Sequence, residues 1–335
     1  MDTPAGFVPR VRTRLSFQDW IGTVSTRLGI GRYNYKVVPG LYGVGTPGAD
    51  SPVLVTANYK LTFDALRKEL GGIDAWILVA DTRGINVWCA AGKGLFSTDE
   101  VVRRVKASRL TDLVSHRELI LPQLCATGVA AHKVRKGCGF SVVYGPVHAA
   151  DIPAFIRAGN VADEAMRTVT FTLRERAVLM PVEILLLKNV LAAAVLATLV
   201  LSGIGPGIFS PGAALARGVP AVCATLFAIL AGTVVVPLIL PRLPWREFWI
   251  GGALAGSVFG AVNAFVFAER LGVAESVALV LWTAAIASYL AMNFTGSTPY
   301  TSPSGVEKEM RRAIPVQAAG VLLAVVVWLA VPFIS

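Results

Sequence analysis

Five long runs free of Asp, Glu, Lys and Arg in the second half of the chain constrain its fold more than any other feature. They cover residues 189–216, 218–241, 248–268, 276–306 and 313–335, which is 28, 24, 21, 31 and 23 residues. A helix needs about 20 mainly apolar residues to cross a hydrocarbon layer, so each run is long enough for one span. In residues 1–180 the longest such runs, 119–132 and 137–150, reach only 14 residues. Charge divides the same way, with 23 Lys/Arg and 15 Asp/Glu in 1–180 against 8 and 6 in 181–335. The sequence therefore predicts a charged domain over 1–180 followed by an all-α transmembrane domain over 181–335. A disordered tail protein and a disulfide-stapled miniature are excluded, because the chain is 54% hydrophobic and holds only 4 Cys in 335 residues.

The expected spans lie near 184–204, 219–240, 248–268, 274–294 and 315–334, with Pro and Gly at the joints. With a cytoplasmic N-terminal domain, the inside loops hold Arg242, Arg246, Lys308, Arg311 and Arg312. The outside loops then hold Arg217 and Arg270, so the Lys/Arg bias predicts an inside N-domain, an outside C-terminus and an inner-membrane location. Met1 to Leu15 carries three Arg and no apolar core, so no signal peptide is expected. Mid-span polar residues are few, chiefly Asn263, with Glu183 and Lys188 near a span end. That favours an anchor or docking platform over a transporter.

In residues 1–180, β-rich runs at Val53–Ala57, Ala75–Ala80, Leu119–Leu121, Phe140–Tyr144 and Val169–Leu173 alternate with helical segments. The helix candidates are Thr62–Leu70, Thr98–Lys106, Val129–Lys136 and Ile152–Ala158, with a capping box at Ser97-Thr-Asp-Glu100 and stops at Gly137 and Gly159. This alternation predicts an α/β, Rossmann-like fold with a mostly parallel sheet covered on both faces. Ligands of such sheets sit outside the carboxyl ends of the strands, here the loops after Ala57, Ala80, Leu121 and Tyr144. An amphipathic stretch near Phe17–Leu28 and an added hairpin over Tyr33–Val44 are expected before the first of these strands.

Several motifs fail on context. Gly43-Val-Gly-Thr-Pro-Gly48 matches a dinucleotide pattern but precedes a strand, and Pro47 interrupts it. Gly92-Lys93 lacks the Gly and Ser/Thr of a P-loop, because Val87 and Gly94 stand there. Cys89, Cys125, Cys138 and Cys223 form no C-x-x-C, so no iron–sulfur cluster is expected in this chain. His116, His132 and His148 are scattered, and no nucleic-acid-binding motif is present.

The segment Asp81-Thr-Arg-Gly-Ile-Asn-Val-Trp-Cys-Ala-Ala-Gly-Lys-Gly94 follows a strand. If Asn86 caps a helix starting at Val87, Cys89 falls at the third helical position, where the positive helix end favours a thiolate. Lys93 one turn on adds a cation, and Ala90, Ala91 and Gly92 leave the helix bare enough for a flat ligand. The residues alone leave two roles open for Cys89, a reactive thiolate or a buried packing residue. Trp88 and Lys93 likewise read either as ligand contacts or as core packing and a solvated helix end.

The run Asn86-Val-Trp-Cys-Ala-Ala-Gly-Lys93 resembles the signature of the HgcA family, the membrane corrinoid proteins of microbial mercury methylation. Their soluble domain is related to the corrinoid-binding domain of the corrinoid iron–sulfur protein. Further similarity lies in Pro39-Gly-Leu-Tyr42, Ala57-Asn-Tyr-Lys60, Leu121-Pro-Gln-Leu124, Gly128-Val-Ala-Ala-His132, Val143-Tyr-Gly-Pro146, the loop Met292–Gly305 and the five-span tail. Cys125-Ala-Thr127 departs from the family's expected Gly-Ala-Pro.

The resemblance implies a Rossmann-like corrinoid-binding domain with Cys89 as the lower axial ligand to the corrinoid cobalt. The implied cofactor contacts are Asn86, Val87, Trp88, Cys89, Ala90, Ala91, Gly92 and Lys93. Thr56, Asn58, Asp81, Thr82, Gly84, Leu121, Pro122, Gln123, Gly128, Val129, Tyr144 and Gly145 complete the set. It also implies methyl transfer to Hg(II) as substrate, giving methylmercury, and an upstream methyl donor or methyltransferase. A ferredoxin-like iron–sulfur partner, HgcB, would supply electrons, and the net charge of +10 suits such an acidic partner and anionic membrane lipid. The loop Thr295–Gly305 would help dock that partner or shield the cobalt face. Two other readings stand beside this one, a membrane-tethered corrinoid methyl carrier in one-carbon metabolism and a redox or metal sensor that uses Cys89 without corrinoid.

Overall fold

The structure, a computed structural model, describes residues 1–245, 247–294, 298 and 303–334, and the elements below are those of the described residues. Arg246 and most of the loop Thr295–Gly305, both singled out in the sequence, lie outside them. The chain divides into two compact units, Met1–Thr170 and Phe171–Ser335. The first is α/β with a largely parallel sheet and the second is helical.

The sheet of the first unit contains β1 (Arg10–Val11), β2 (Gly40–Val44), β3 (Val53–Ala57), β4 (Ala75–Ala80), β5 (Glu118–Leu121) and β6 (Ser141–Tyr144). Their spatial order is β1-β2-β4-β3-β5-β6. β4, β3, β5 and β6 run parallel, with Leu54 opposite both Ile77 and Ile120, while β2 is antiparallel to β4. Every residue of β3 and β4 is buried, because helices cover both faces. On one face Val53, Val55, Leu78, Ala80 and Leu121 pack against α3 (Val87–Gly92), α4 (Thr98–Ala107) and α5 (Ala131–Cys138). On the other, Leu54, Ile77 and Ile120 meet α2 (Lys60–Lys68) and α6 (Ile152–Arg157) through Phe63, Leu66, Ile152 and Phe155. Each large side chain so buried contributes about 1.5–3 kcal/mol.

Four expectations for this unit need correction. The capping box at Ser97-Thr-Asp-Glu100 is half formed: Ser97 accepts the Glu100 amide, but the Glu100 carboxylate accepts from the Asp81 amide and from Arg103 and Arg104. Tyr33–Val44 forms no hairpin of its own; its end becomes β2 by pairing with β4, where Leu41 faces Leu78. Val169–Leu173 is not a strand, because no neighbouring strand pairs with it and Thr172 caps a helix instead, its side chain accepting from the Glu175 amide. Gly137 does not stop α5, which runs to Cys138 and ends at Gly139 in the left-handed region. A Cβ on Gly137 would come 2.8 Å from Val102, so this glycine serves the approach of α5 to α4.

Ahead of β2 lies α1 (Phe17–Arg27), begun by a capping box in which Ser16 and Asp19 satisfy each other's amides. Asp19 also accepts from Lys60 at 2.5 Å and Arg67 at 2.8 Å, and both cations pair with Asp64. Burial works to raise the Asp19 pKa, but hydrogen bonds from Lys60, Ser16 and Arg67 outweigh it and hold the carboxyl well below the usual range. A group depressed in this way stabilises the fold above its unfolded pKa, and the contribution is lost as pH falls through the folded value. Asp19→Ala is therefore expected to weaken the docking of α1 by about 2 kcal/mol at neutral pH, since it leaves two partly buried cations sharing the single carboxylate of Asp64 and removes their tie to α1. Native-state hydrogen exchange should show amides 17–27 exchanging roughly 30-fold faster. The gap to the native chain should narrow below about pH 4.

The second unit opens with α7 (Leu173–Leu186) and α8 (Lys188–Leu201), bent by 62° at Leu187. The first expected span, 184–204, thus begins inside one helix and crosses a break, with Glu183 and Lys188 flanking the bend. Four further helices are long and apolar enough to cross a membrane, and the bent pair brings the total to five if it forms one span. One of the four runs through α9 (Pro211–Leu230) to Arg242; the others are α10 (Phe248–Val266), α11 (Val273–Asn293) and α12 (Pro303–Ile334). Arg217 is not in a loop. α9 starts at Pro211, well before the expected span at 219, and Arg217 lies within it, paired with Glu275 at 2.6 Å and stacked on Trp328. Asn263 is fully buried and donates to the Pro220 carbonyl at 3.2 Å.

α10 and α11 pack through Gly252, Gly256 and Gly260, a small-residue ridge at every fourth position. A Cβ on Gly252 would meet the Ala287 carbonyl oxygen at 2.6 Å, and one on Gly256 the Thr283 carbonyl oxygen at 2.6 Å. Backbone, not a flexible side chain, closes the space, so no larger residue fits without moving a helix. Gly256→Leu should lower the Tm of the full chain in detergent by about 5 °C. Gly212→Ala, where the new atom meets only Ser210 Oγ at 3.7 Å, should leave the Tm unchanged.

Candidate functional site

The candidate site forms at the carboxyl edge of the sheet, where connections leave β3 and β5 in opposite directions. Crevices at such switch points are the usual ligand sites of open α/β sheets. A cleft of about 380 Å³ lies there, lined by Leu54, Val55 and Thr56 of β3 and by Ile120 and Pro122 at the end of β5. Leu61, Thr62, Ala65 and Leu66 of α2 form one wall, and Asn86, Val87 and Trp88 form the rim. Gly145 to Ala149 and Ile152 close the remaining side. The volume is within the ordinary range for small-molecule and cofactor sites.

The cap helix α3 is positioned by side chains on neighbouring loops. Asn86, with extended backbone, accepts the Cys89 amide at 2.9 Å, which starts the helix at Val87. Ala90 and Ala91 are buried in the core, while Cys89 and Trp88 face out. A Cβ on Gly128 would fall 2.3 Å from the Phe96 carbonyl oxygen and 3.0 Å from Ala91 Cα, so the loop after β5 closes on α3 only with glycine there. Tyr144 fixes the same loop by donating its hydroxyl to the Val129 carbonyl at 2.5 Å.

The loop that launches α3 depends on Asn58. Its side-chain oxygen accepts from the Thr82 amide at 3.1 Å, the Thr82 hydroxyl at 2.9 Å and the Gly84 amide at 2.8 Å. The single Thr82 hydroxyl proton is shared between that oxygen and the Ile85 carbonyl oxygen, 2.6 Å away. Asp81 accepts from Asn58 Nδ2 and the Arg83 amide, and its own amide donates to Glu100 at 2.6 Å. Arg83 and Gly84 both have positive φ, 57° and 78°, which turns the chain sharply toward Asn86.

The residues expected at the site thus fall into groups. Thr56, Asn86, Val87, Trp88, Pro122 and Gly145 line the cleft. Cys89 is exposed on the same short helix, beyond the lining, with Gly92 and Lys93 at the helix end. Asn58, Asp81, Thr82 and Gly84 are joined in the loop network and do not line the cleft, while Gly128, Val129 and Tyr144 brace α3. Leu121 is fully buried, and Gln123 is engaged by Arg167 at 3.2 Å. Sequence reasoning missed the α2 wall, the Glu100 anchor and His148. His148 follows a strand end, the one signal available, and its Nε2 lies 3.0 Å from Thr170 Oγ1.

The cysteines separate by environment. Cys125 is fully buried and burial pushes its thiol up to about 12, so it is a packing residue. Cys138 donates its thiol to the Val134 carbonyl. Among the described residues Cys89 is the exposed cysteine.

Residues 31–156 match the family described as CO dehydrogenase/acetyl-CoA synthase delta subunit. The gamma subunit of the acetyl-CoA decarbonylase/synthase complex of Methanopyrus kandleri is 34% identical over 123 residues, 36% of this chain and 26% of that one. The gamma subunit from Archaeoglobus fulgidus is 32% identical over 123 residues, with the same shares. The corrinoid/iron-sulfur protein large subunit of Moorella thermoacetica is 31% identical over 125 residues, 37% of this chain and 28% of that one. The chain spans about a quarter of the length of these curated relatives. The first unit therefore contains a domain similar to corrinoid/iron–sulfur protein large subunits, and corrinoid is the cofactor class of that family.

The residues present fit such a ligand. The cleft is mainly apolar and opens at the strand ends; Ala90 and Ala91 face the core and not this cleft, and the outward face of α3 beside it carries Trp88, Lys93 and one soft donor, Cys89. Replacing the hub rather than the rim tests how the site is built. Asn58→Leu, which leaves buried amides unpaired, should destabilise the first unit by about 2–3 kcal/mol. It should also reduce cobalt retained by the purified full chain, measured by elemental analysis, although Asn58 does not line the cleft.

Proposed function

We propose that the chain is a membrane-anchored, corrinoid-dependent methyl-transfer protein with Cys89 as the cobalt ligand and Hg(II) as methyl acceptor, giving methylmercury. The observation that carries this reading is Cys89, exposed on α3 with its amide held by Asn86, one residue beyond Trp88 of the cleft rim. When bound, the corrinoid supplies a cobalt centre that can hold and release a methyl group. Thr56, Val87, Trp88, Pro122 and Gly145 would hold the ligand at the strand ends, and Cys89 Sγ would be the protein's donor to the metal. Binding in that role requires Cys89 to lose its proton, and its exposure gives the proton a direct exit to water.

A thiolate is a strong, soft donor. Such a donor suits a methyl group that leaves with electron density, which is what a soft electrophile such as Hg(II) accepts. The signature-like run Asn86–Lys93 supports the same reading. Electrons for the cycle would come from a ferredoxin-like HgcB partner, and the methyl group from an upstream donor. The Lys/Arg distribution supports an inner-membrane protein with a cytoplasmic N-terminal unit and an outside C-terminus.

A second reading is a membrane-tethered methyl carrier in one-carbon metabolism. The comparisons support it more directly, since the relatives are named as subunits of acetyl-CoA decarbonylase/synthase complexes. Transfer of a methyl cation equivalent has no evident need for a thiolate, and this separates the two. Membranes carrying the full chain, loaded with methyl-bearing corrinoid and given reduced ferredoxin-like partner and Hg(II), should form methylmercury. Cys89→Ala should lower the yield by at least about tenfold, or roughly 1.4 kcal/mol of barrier. Absence of product above a protein-free control from a demonstrably methylated chain would leave the one-carbon carrier.

A further inference from the structure

The helix α1 is amphipathic in the wrong sense for a helix of a globular core. Phe17, Trp20, Ile21 and Val24, at positions i, i+3, i+4 and i+7, form its apolar stripe, yet they are 74%, 60%, 48% and 38% exposed. Its inward face is polar and small, made by Asp19, Gly22 and Thr26. Asp19 is clamped by Lys60 and Arg67, and a Cβ on Gly22 would come 2.3 Å from Tyr35 Oη. The helix therefore cannot roll its apolar stripe into the core without breaking two ion pairs. Phe17 and Trp20 stack on each other outside, 6.4 Å between ring centres.

The sequence flanking this stripe is basic. Arg10, Arg12, Arg14 and Arg27 are exposed, and residues 1–36 carry 6 Lys/Arg against 2 Asp/Glu, one of them the engaged Asp19. The helix also precedes residue 31, where the match to the corrinoid-subunit family begins, so the matched domain does not account for it. Aromatic and aliphatic side chains rimmed by Arg are the chemistry of helices that lie in the headgroup layer of anionic bilayers. The chain continues from this unit into helices apolar enough to span a membrane, which keeps a lipid surface within tethered reach.

We propose that α1 is an interfacial membrane helix whose outward stripe of Phe17, Trp20, Ile21 and Val24 inserts among anionic lipid headgroups. It gives the first unit a second membrane contact besides the covalent tether. The inference rests on reading the second unit as membrane-embedded, and the test separates the two.

The full chain is placed in nanodiscs of brominated anionic phospholipid, and the emission of Trp20 is taken as the difference between the native chain and Trp20→Phe. Bromolipid should quench that difference by about twofold and acrylamide should reach it poorly. A Trp20 signal that bromolipid leaves untouched and acrylamide quenches freely overturns the proposal. A signal shielded from acrylamide but untouched by bromolipid also overturns it, since protein then covers the stripe. If bromolipid fails to quench even the Trp20→Phe chain, whose Trp249, Trp282 and Trp328 lie in the apolar helices, the membrane reading falls with it.

Discussion

The side-chain oxygen of Asn58 is the acceptor on which the carboxyl edge of the sheet depends. Three donors from one loop converge on it, the amide and hydroxyl of Thr82 and the amide of Gly84. Those bonds fix where β4 turns, through two residues of positive φ, into Asn86. Asn86 then starts α3, and α3 sets the positions of Trp88 and Cys89. A buried polar atom with several partners is costly to disturb, because each deserted amide keeps its desolvation penalty. The exposed thiol therefore sits on a rigid platform rather than on a loop tip, as a ligand to a large cofactor requires.

The two units solve different packing problems. In the first, alternation of side chains across β3 and β4 fills two cores, one under α2 and α6 and one under α3, α4 and α5. The cleft arises where the α2 side is left open between β3 and β5. The second unit gains little from apolar burial if its surroundings are lipid, so close backbone approach must hold it together. Gly252, Gly256 and Gly260 supply that approach. The Arg217–Glu275 pair and its Trp328 contacts tie α9, α11 and α12 at a second point.

How much of this was legible in the sequence follows from how local each cause is. The start of α3 and the place of Cys89 in it were readable, since an Asn cap acts over three residues. The central strands were readable because a buried parallel strand is an unbroken apolar run. Val169–Leu173, which alternates Val, Phe and Leu with Thr, is also β-prone but has no strand to pair with, and β propensity without a partner yields no sheet. The outward stripe of α1 was hidden because its orientation is set by Lys60 and Arg67, more than 40 residues away. The cleft wall from Leu61 to Leu66 reads as ordinary helix surface until α2 is folded against β3. Arg217 looked like a loop cation because its partner Glu275 lies on another helix.

The central claim is that a corrinoid sits on α3 with Cys89 as its cobalt ligand. X-ray absorption at the cobalt edge of the purified full chain tests this most directly. The account predicts a sulfur scatterer at bonding distance from cobalt, absent in Cys89→Ala while cobalt remains bound. A cobalt centre with only nitrogen and oxygen neighbours, the same in both proteins, would contradict it.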